Sequence, residues 1–183
     1  MENIKQRFSD FVHSWTVIAM ITLFLFAVKP ETMPHAEALV VKPQLQTAQL
    51  KKETLEKYSN TVYNPSESLT PKELKTLLQA VGFEGQALKI AWAVAMKESN
   101  GRPMAYNGNR KTGDSSYGIF QINMLGTLGT DRKEKFNLRS SVLLFDPTIN
   151  AEIAYRMTNG GKDWSSWKGL TPETRRLMAQ FPK

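Results

Sequence analysis

Apolar residues recur at helical spacing directly after residue 70 of the chain. Thr70, Pro71 and Glu73 form a typical helix start, with a hydroxyl N-cap, a proline in the first turn and a carboxylate three residues after the cap. The apolar positions that follow share one helical face: Leu74, Leu77, Leu78 and Val81. Gly82 favours a helix end, because glycine readily adopts the left-handed conformation found there. The pattern predicts an amphipathic helix over residues 70–82.

Three more helices are predicted downstream. Residues 85–99 are apolar almost throughout, which predicts a helix that is buried on most sides. The pair Asp146-Pro147 favours the start of another helix, which should end near the glycines at 160–161. The pair Thr171-Pro172 opens a last, short helix. Helices therefore account for most of the predicted structure.

The polar stretch between the predicted helix at 85–99 and the one that starts at Asp146 has the composition of turns. Asn107-Gly108 and Thr112-Gly113 predict tight turns or a small hairpin, because these pairs tolerate the positive φ angles that such turns need. Residues 70–183 are therefore predicted to form a single small domain. It is mainly α, with a short loop or hairpin region.

A segment of 18 residues without formal charge, Phe11–Val28, lies near the N-terminus. Crossing a bilayer takes roughly 20 mostly apolar residues, and the basic Lys5 and Arg7 favour a cytoplasmic N-terminus. Ala36 and Ala38 have the spacing of a signal-peptidase site, so a retained anchor and a cleaved signal both stay open. In either case the rest of the chain is expected outside the cytoplasm, in the periplasm or at the cell surface.

These signals divide the chain into three parts. Residues 1–28 are predicted to be a transmembrane anchor or signal segment. Residues 29–69 contain four prolines and many polar residues, which predicts a flexible linker. Residues 70–183 are predicted to be the catalytic domain.

The residue types missing from this domain exclude several kinds of catalysis. The chain has no cysteine, and its two histidines, His13 and His35, both precede the domain. Ser-His-Asp and Cys-His hydrolases are therefore excluded there, a zinc site is disfavoured, and no cofactor is expected. Proton transfer in this domain must fall to carboxylates, lysine or tyrosine.

The charge of the domain predicts an anionic partner. Residues 70–183 contain 17 basic and 10 acidic residues, so they carry the whole net charge of +7. Envelope polymers and nucleic acid both qualify, but the expected export and the absence of a recognition motif count against nucleic acid. Several basic residues are interpreted as a solvated surface that could also adhere to an anionic wall: Arg102, Arg110, Lys111, Arg132, Lys133 and Lys135.

Glu98 is the strongest candidate for the catalytic group. It continues the stripe formed by four apolar residues of the second helix: Leu88, Ala91, Trp92 and Ala95. Partial burial disfavours the ionised form of a carboxyl group, and so does a position in the last turn of a helix. A protonated carboxyl is what a glycosidic oxygen needs as it departs. The alternative is an ordinary surface glutamate paired with Lys97 or Arg102.

A second block of polar residues, 114–123, has the sequence Asp-Ser-Ser-Tyr-Gly-Ile-Phe-Gln-Ile-Asn. Gly118 is expected to let the backbone approach a ligand closely. Gln121 and Asn123 carry amides that are able to bond sugar hydroxyl and N-acetyl groups.

Together the two blocks resemble the lysozyme-like superfamily, in particular its soluble lytic transglycosylase (SLT) domain. In that group a Glu-Ser pair ends a buried helix, as Glu98-Ser99 does here, and Gly-x-x-Gln-Ile follows, as at 118–122. The segment 117–123 is also similar to animal and phage lysozymes. Asp146-Pro147-x-Ile-Asn and Trp164-Ser-Ser-Trp167 match later motifs of the family. The two tryptophans are interpreted as core residues, with sugar stacking as the alternative.

The resemblance implies an α+β lysozyme-like fold and a peptidoglycan glycosidase that cleaves the MurNAc-GlcNAc β-1,4 bond. It implies that Glu98 is the catalytic acid/base. It also implies that the substrate-binding residues are Ser99, Asp114, Tyr117, Gln121 and Asn123.

The chemistry that follows protonation stays open between two alternatives. Many lysozymes have an aspartate directly before the Tyr-Gly pair, whereas this chain has Ser116 there and Asp114 two residues earlier. A lytic transglycosylase needs one carboxylate, because the sugar's own 6-hydroxyl attacks, and this favours that activity. A lysozyme-type hydrolase using Glu98 with Asp114 is the alternative.

The expected partners are peptidoglycan strands and, through the N-terminal segment, a membrane. A secretion, conjugation or phage machine is a further expected partner, and nucleic acid is not expected. A hypothesis of another class is a non-catalytic envelope or scaffold protein that keeps the glycan cleft for binding. An intact Glu98 favours the enzyme, because a binding module has no need of an acid there.

Overall fold

The computed structural model describes the backbone of residues 35–183 and the side chains of residues 44–109 and 111–183. Its helices are α1 (His35–Asn60), α2 (Pro71–Val81), α3 (Gly85–Ser99), α4 (Gly126–Phe136), α5 (Pro147–Met157) and α6 (Pro172–Met178). Short 3-10 turns span Arg110–Thr112, Ser141–Phe145 and Ser165–Trp167. The strands are β1 (Tyr106–Asn107), β2 (Ser116–Tyr117) and β3 (Ile122–Asn123).

The four helices predicted from local signals are confirmed. Thr70 caps α2 through a complete capping box with Glu73, and Gly82 ends it in the left-handed conformation. The Asp146 carboxylate accepts hydrogen bonds from the first turn of α5, and Thr171 caps α6. These starts were predictable because the capping residues act within a few positions of the helix they cap.

The predicted hairpin is a three-stranded antiparallel sheet in the order β1-β2-β3. Tyr117 pairs with both Tyr106 and Ile122, so β2 is the central strand. A mainly helical domain with this small sheet matches the predicted fold class for the compact region. Helix α4 was not predicted, because its sequence is polar and contains two glycines, at 126 and 129.

The core of the unit Thr47–Lys183 lies around α3. Helix α3 packs chiefly against α2 and α6, and its Trp92 is almost fully buried. Five aromatic rings pack against one another in the same hydrophobic core: Phe83, Phe120, Tyr155, Trp164 and Trp167. Hydrogen bonds from Lys97 and Ser99 to backbone carbonyls hold the C-terminal end of α3, where the candidate acid lies.

The compact unit begins earlier than the sequence signals suggest. Residues from Thr47 onward belong to it, although 29–69 is expected to be a linker. The buried Tyr58 of α1 donates a hydrogen bond to the backbone carbonyl of Glu73 over 3.0 Å, and the Leu55 carbonyl accepts one from Thr148. Few apolar residues in α1 make these contacts, which is why the pattern did not reveal them. The three-part domain division itself stays a prediction.

The expected membrane or signal segment, 1–28, lies outside the described residues. Between residues 35 and 183, no helix combines the length and the apolar character that a bilayer crossing requires.

Candidate active site

Glu98 lies in the last turn of α3, at the end of a buried apolar stripe. All four predicted stripe residues are buried: Leu88, Ala91, Trp92 and Ala95. The Glu98 side chain keeps 25% of its surface exposed, and Asn100 ends the helix in the left-handed conformation. The predicted partial burial of this carboxyl group at a helix end is therefore confirmed.

Lys97 pairs with Glu98. Its Nζ lies 2.9 Å from Oε1 of Glu98, and it also donates to the backbone carbonyl of Trp167 over 3.4 Å. The Lys97 side chain is only 14% exposed, so this ammonium is held against the carboxylate. The ion pair anticipated for an ordinary surface glutamate is thus present, but it lies in a cleft.

That cleft has a volume of about 810 Å³. Its walls come from the end of α3, the sheet, α4, the end of α5 and the segment that leads into α6. The lining residues are Lys97, Glu98, Asn107, Asp114, Ser116, Gln121, Ile122, Asn123, Arg132, Met157, Ser166, Trp167, Lys168, Thr171, Pro172 and Glu173. Ligand sites in proteins commonly occupy about 300–1,000 Å³, so the cleft is large enough for part of a glycan strand.

Side chains from three elements fix the backbone beside Glu98. Asn150 Nδ2 donates to the carbonyl of Tyr117, the Ser99 hydroxyl to that of Ile119, and the Trp167 indole to that of Phe120. The three distances lie between 2.8 and 2.9 Å. This segment leads directly into Gln121, so its anchoring sets the position of the cleft residues that follow.

Gly118 serves this anchoring, which corrects the expectation that it approaches a ligand. Its φ is 72°, and a Cβ there would come within 2.2 Å of both Asn150 Nδ2 and the carbonyl oxygen of Leu144. The close approach is therefore to α5 and the turn before it. The local motif predicted a need for glycine, and the tertiary contact supplies its reason.

Gln121 and Asn123 line the cleft, as the sequence analysis expected. The Gln121 amide nitrogen donates to the carbonyls of Ala105 and Gly118, each over 3.0 Å, and its backbone has a φ of 48°. The Asn123 amide joins three backbone groups around the sheet, those of Gly113, Ser115 and Leu125. Both side chains thus stabilise the cleft wall as well as facing it.

Asp114 also lines the cleft. Its carboxylate accepts hydrogen bonds from the hydroxyls of Thr112 and Ser116, over 3.1 and 3.3 Å. Ser116 occupies the position directly before Tyr117 and is itself a cleft residue. The structure therefore brings Asp114 and Glu98 to one cleft, with a serine hydroxyl bound to the aspartate.

Ser99 and Tyr117 lie differently from the other expected binding residues. Ser99 is buried, and its hydroxyl bonds the carbonyls of Ala95 and Ile119. The Tyr117 ring packs between Tyr106 and Phe145, with centroids 4.9 and 5.3 Å away. Neither residue lines the cleft. Both residues instead contribute to the hydrogen bonding and packing around the cleft.

The two tryptophans are core residues, as interpreted from the sequence. Both are buried, and their indole N–H groups donate to the carbonyls of Gly161 and Phe120. Trp167 also reaches the cleft wall.

Sequence reasoning missed four charged residues of the cleft. Lys97 was considered only as a surface partner of Glu98, and Lys168 and Glu173 carried no motif. Arg132 was grouped with the solvated basic surface, but it is half-buried on α4, and this burial lowers the pKa of its guanidinium. Helix α4 itself was not predicted, so no local signal placed Arg132 at the cleft.

The described residues contain no group of three His, Cys, Asp or Glu side chains that could hold a metal ion. The chemistry visible in the cleft is that of one largely covered carboxyl group beside an ammonium, facing amides, hydroxyls and further charges. Such an arrangement suits proton transfer between Glu98 and a bound ligand that carries hydroxyl or ether oxygens.

Comparisons with known proteins agree with this geometry. The family model described as a lysozyme-like domain matches residues 75–169. This stretch contains Glu98, the sheet and the cleft walls up to Lys168.

Two curated proteins are similar to about half of the chain. The milk isozyme of lysozyme C from Equus caballus is 32% identical over 91 residues, which cover 48% of this chain and 70% of that protein. The milk isozyme of lysozyme C from Canis lupus familiaris is 30% identical over 93 residues, covering 47% of this chain and 72% of that protein.

Proposed function

Because the chain belongs to the lysozyme-like domain family, we propose that it is a peptidoglycan glycosidase with Glu98 as its catalytic acid. The observation that carries the proposal is the position of Glu98: it ends a buried helix, and its side chain, 25% exposed, opens into a cleft of about 810 Å³. A scaffold protein would not need a carboxyl group covered in this way. The names of the relatives, both lysozymes, support the same substrate class.

The first step is transfer of the Glu98 proton to the glycosidic oxygen as the bond from that oxygen to C1 of the muramyl residue breaks. The leaving sugar departs with a new hydroxyl group, and the Glu98 carboxylate remains. The Lys97 ammonium, 2.9 Å away, stabilises the negative charge that this transfer leaves behind.

The second step that we favour is an intramolecular attack. The 6-hydroxyl of the muramyl residue bonds to C1 and gives its proton to Glu98, which restores the acid and produces a 1,6-anhydro end. One carboxyl group then serves as acid and base in turn. In support, Ser116 occupies the position where many lysozymes have an aspartate, and its hydroxyl is bound to Asp114.

A lysozyme-type hydrolase is the second candidate, and a specific observation favours it. Asp114 and Glu98 line the same cleft, so a second carboxylate is available to assist attack by water. The two similar curated proteins are lysozymes. Water would then supply the new bond at C1, and the product would carry a reducing end.

Mass spectrometry of the muropeptides released from purified sacculi tests the proposal. We expect products with 1,6-anhydro ends, which weigh 18 Da less than the hydrolysed products because no water is added. Reducing ends alone would establish the hydrolase, and the release of no muropeptide by the full chain would contradict the glycosidase.

We further propose that the enzyme acts outside the cytoplasm, held at or exported across a membrane by residues 1–28. The charge-free run Phe11–Val28 supports this proposal. Cell fractionation separates the two forms. A retained anchor keeps the full-length chain in the membrane fraction, whereas a cleaved signal leaves a shorter chain in the periplasmic fraction.

A further inference from the structure

Arg132 is a half-buried cation on the wall of the cleft. It lies on α4, and its Nη1 donates to the backbone carbonyl of Asn123. Across the part of the chain whose side chains are described, Arg132 forms no salt bridge. Burial lowers the pKa of its guanidinium, yet arginine stays charged at any physiological pH.

The other cleft cations differ from Arg132 in their surroundings. Lys97 already has Glu98 as a partner, and Lys168 is exposed, where water solvates its ammonium. A partly dehydrated guanidinium without a counter-ion costs free energy, because the lost hydration is only partly replaced by one carbonyl contact. An anionic group on a bound ligand would replace the stabilisation that the Arg132 guanidinium loses with its hydration.

The backbone group that holds Arg132 is itself held by hydrogen bonds. Its anchor, Asn123, is held by its own side chain, which accepts from the Leu125 N–H over 2.9 Å and donates to the Gly113 carbonyl over 2.8 Å. Since Nη1 is fixed on Asn123, the remaining N–H groups of the planar guanidinium are the ones left for a ligand. Two parallel N–H groups match the two oxygens of a carboxylate.

We propose, on the premise of the glycosidase function, that Arg132 binds a carboxylate of the glycan strand and so selects carboxylate-bearing strands over neutral ones. Two kinds of carboxylate in peptidoglycan have this chemistry. The first is the lactyl carboxylate of a muramyl residue that bears no peptide, and the second comprises the carboxylates of the stem peptide.

Binding measurements on cleavage-deficient protein test this selection. The parent is the full chain with Glu98→Gln, and the ligands are labelled strands of one length: with stem peptides, with stems removed, and with stems removed and the lactyl carboxylates methylamidated. Arg132→Gln removes the charge but keeps a donor for the Asn123 carbonyl. Arg139→Gln is the matched control, because Arg139 is exposed and lies outside the cleft.

We expect Arg132→Gln to weaken binding of a carboxylate-bearing strand about tenfold or more, as for a lost charged hydrogen bond, and to change binding of the neutral strand by less than about twofold. A loss on stem-bearing strands alone assigns the stem peptide, and a loss on the stripped strand assigns the lactyl group. Arg139→Gln should affect all three strands only weakly, because salt screens a distant exposed charge.

An equal effect of Arg132→Gln on all three strands, or no effect, would overturn the inference. Should this variant not fold, Arg132→Lys decides, because it keeps the charge and loses the paired N–H groups; about threefold weaker binding of carboxylate strands alone is then expected. If the Glu98→Gln parent bound none of the strands, the glycosidase function itself would fail. If the parent binds the strands but Arg132→Gln affects all of them equally, only the proposed selection of carboxylate-bearing strands is contradicted.

Discussion

Asn150 lies so close to Gly118 that a single added carbon atom would collide with it. A Cβ on Gly118 would be 2.2 Å from Asn150 Nδ2 and from the Leu144 carbonyl oxygen. The same Asn150 amide accepts from the Phe120 N–H and donates to the Tyr117 carbonyl. Helix α5 thus holds residues 117–120 through the buried amide of Asn150. Gly118 permits this contact because it has no side chain.

Gly118→Ala should therefore lower the free energy of unfolding by at least about 3 kcal/mol, since it adds both an overlap and a strained φ of 72°. Gly113→Ala is the matched control. Its φ is also positive, 78°, but nothing lies within 4 Å of its Cβ position, so a loss of about 1 kcal/mol is expected. Denaturant unfolding measures both. Equal losses of unfolding free energy in the two variants would show that the close contact with Asn150 does not affect stability.

Ser99→Ala separates a framework role from substrate binding. The Ser99 hydroxyl is buried and donates to the Ile119 carbonyl over 2.8 Å. Removing it should lower the unfolding free energy by about 1–2 kcal/mol, the usual cost of leaving a buried group unsatisfied. Glycan affinity of the folded variant should change little, because Asn150 and Trp167 still anchor the same segment. Weaker binding with unaltered stability would instead support the direct substrate contact that the family resemblance implies.

Tyr58 provides a test of whether α1 belongs to the folded unit. Burial, followed by the charge of Glu73, raises the pKa of the Tyr58 phenol to about 12, from an ordinary value of 10.0. Because the pKa is higher in the folded than in the unfolded state, the neutral Tyr58 phenol contributes to the free energy of unfolding. This contribution is complete below pH 10 and is lost as the pH rises from about 10 to 12. The folded state therefore resists deprotonation of this phenol.

Tyr58→Phe should accordingly reduce the fall of the unfolding free energy over that pH range. Alkaline unfolding curves of the variant and of Tyr106→Phe measure this, because Tyr106 is exposed and serves as the control. Identical curves for Tyr58→Phe and the unchanged protein would argue against a buried Tyr58.

Local signals predicted the helices, while the site depended on contacts that no local signal contains. Thr70, Glu73 and Asp146 act within one helical turn, so their roles were readable from the sequence. The Ser99 contact spans 20 residues and the Trp167 contact spans 47, and only the folded chain brings such groups together.

The candidate acid was predictable for a different reason: its helix is long and apolar, and only Lys89 and Lys97 interrupt it before Glu98. Arg132 and Glu173 were not, because each belongs to a short helix with a mixed surface. Their place at the cleft depends on how those helices dock. The family resemblance supplied Gln121, Asn123 and Asp114, all three of which line the cleft.

Asp114→Asn distinguishes the two proposed mechanisms by rate. If Glu98 alone serves as acid and base, this change should lower the rate of muropeptide release by no more than about threefold. A second catalytic carboxylate would make the loss about hundredfold or more. Asp163→Asn, at an exposed position outside the cleft, controls for the general loss of one negative charge.

Glu98→Gln compared with Glu173→Gln is the most direct measurement. Both residues line the cleft, but only Glu98 ends the buried stripe, whereas Glu173 is exposed. On purified sacculi, Glu98→Gln should lose about hundredfold or more of the digestion rate while its thermal unfolding stays within a few degrees of the unchanged protein. Glu173→Gln should keep its rate within about threefold. Digestion by folded Glu98→Gln at the unchanged rate would contradict the assignment of the catalytic acid.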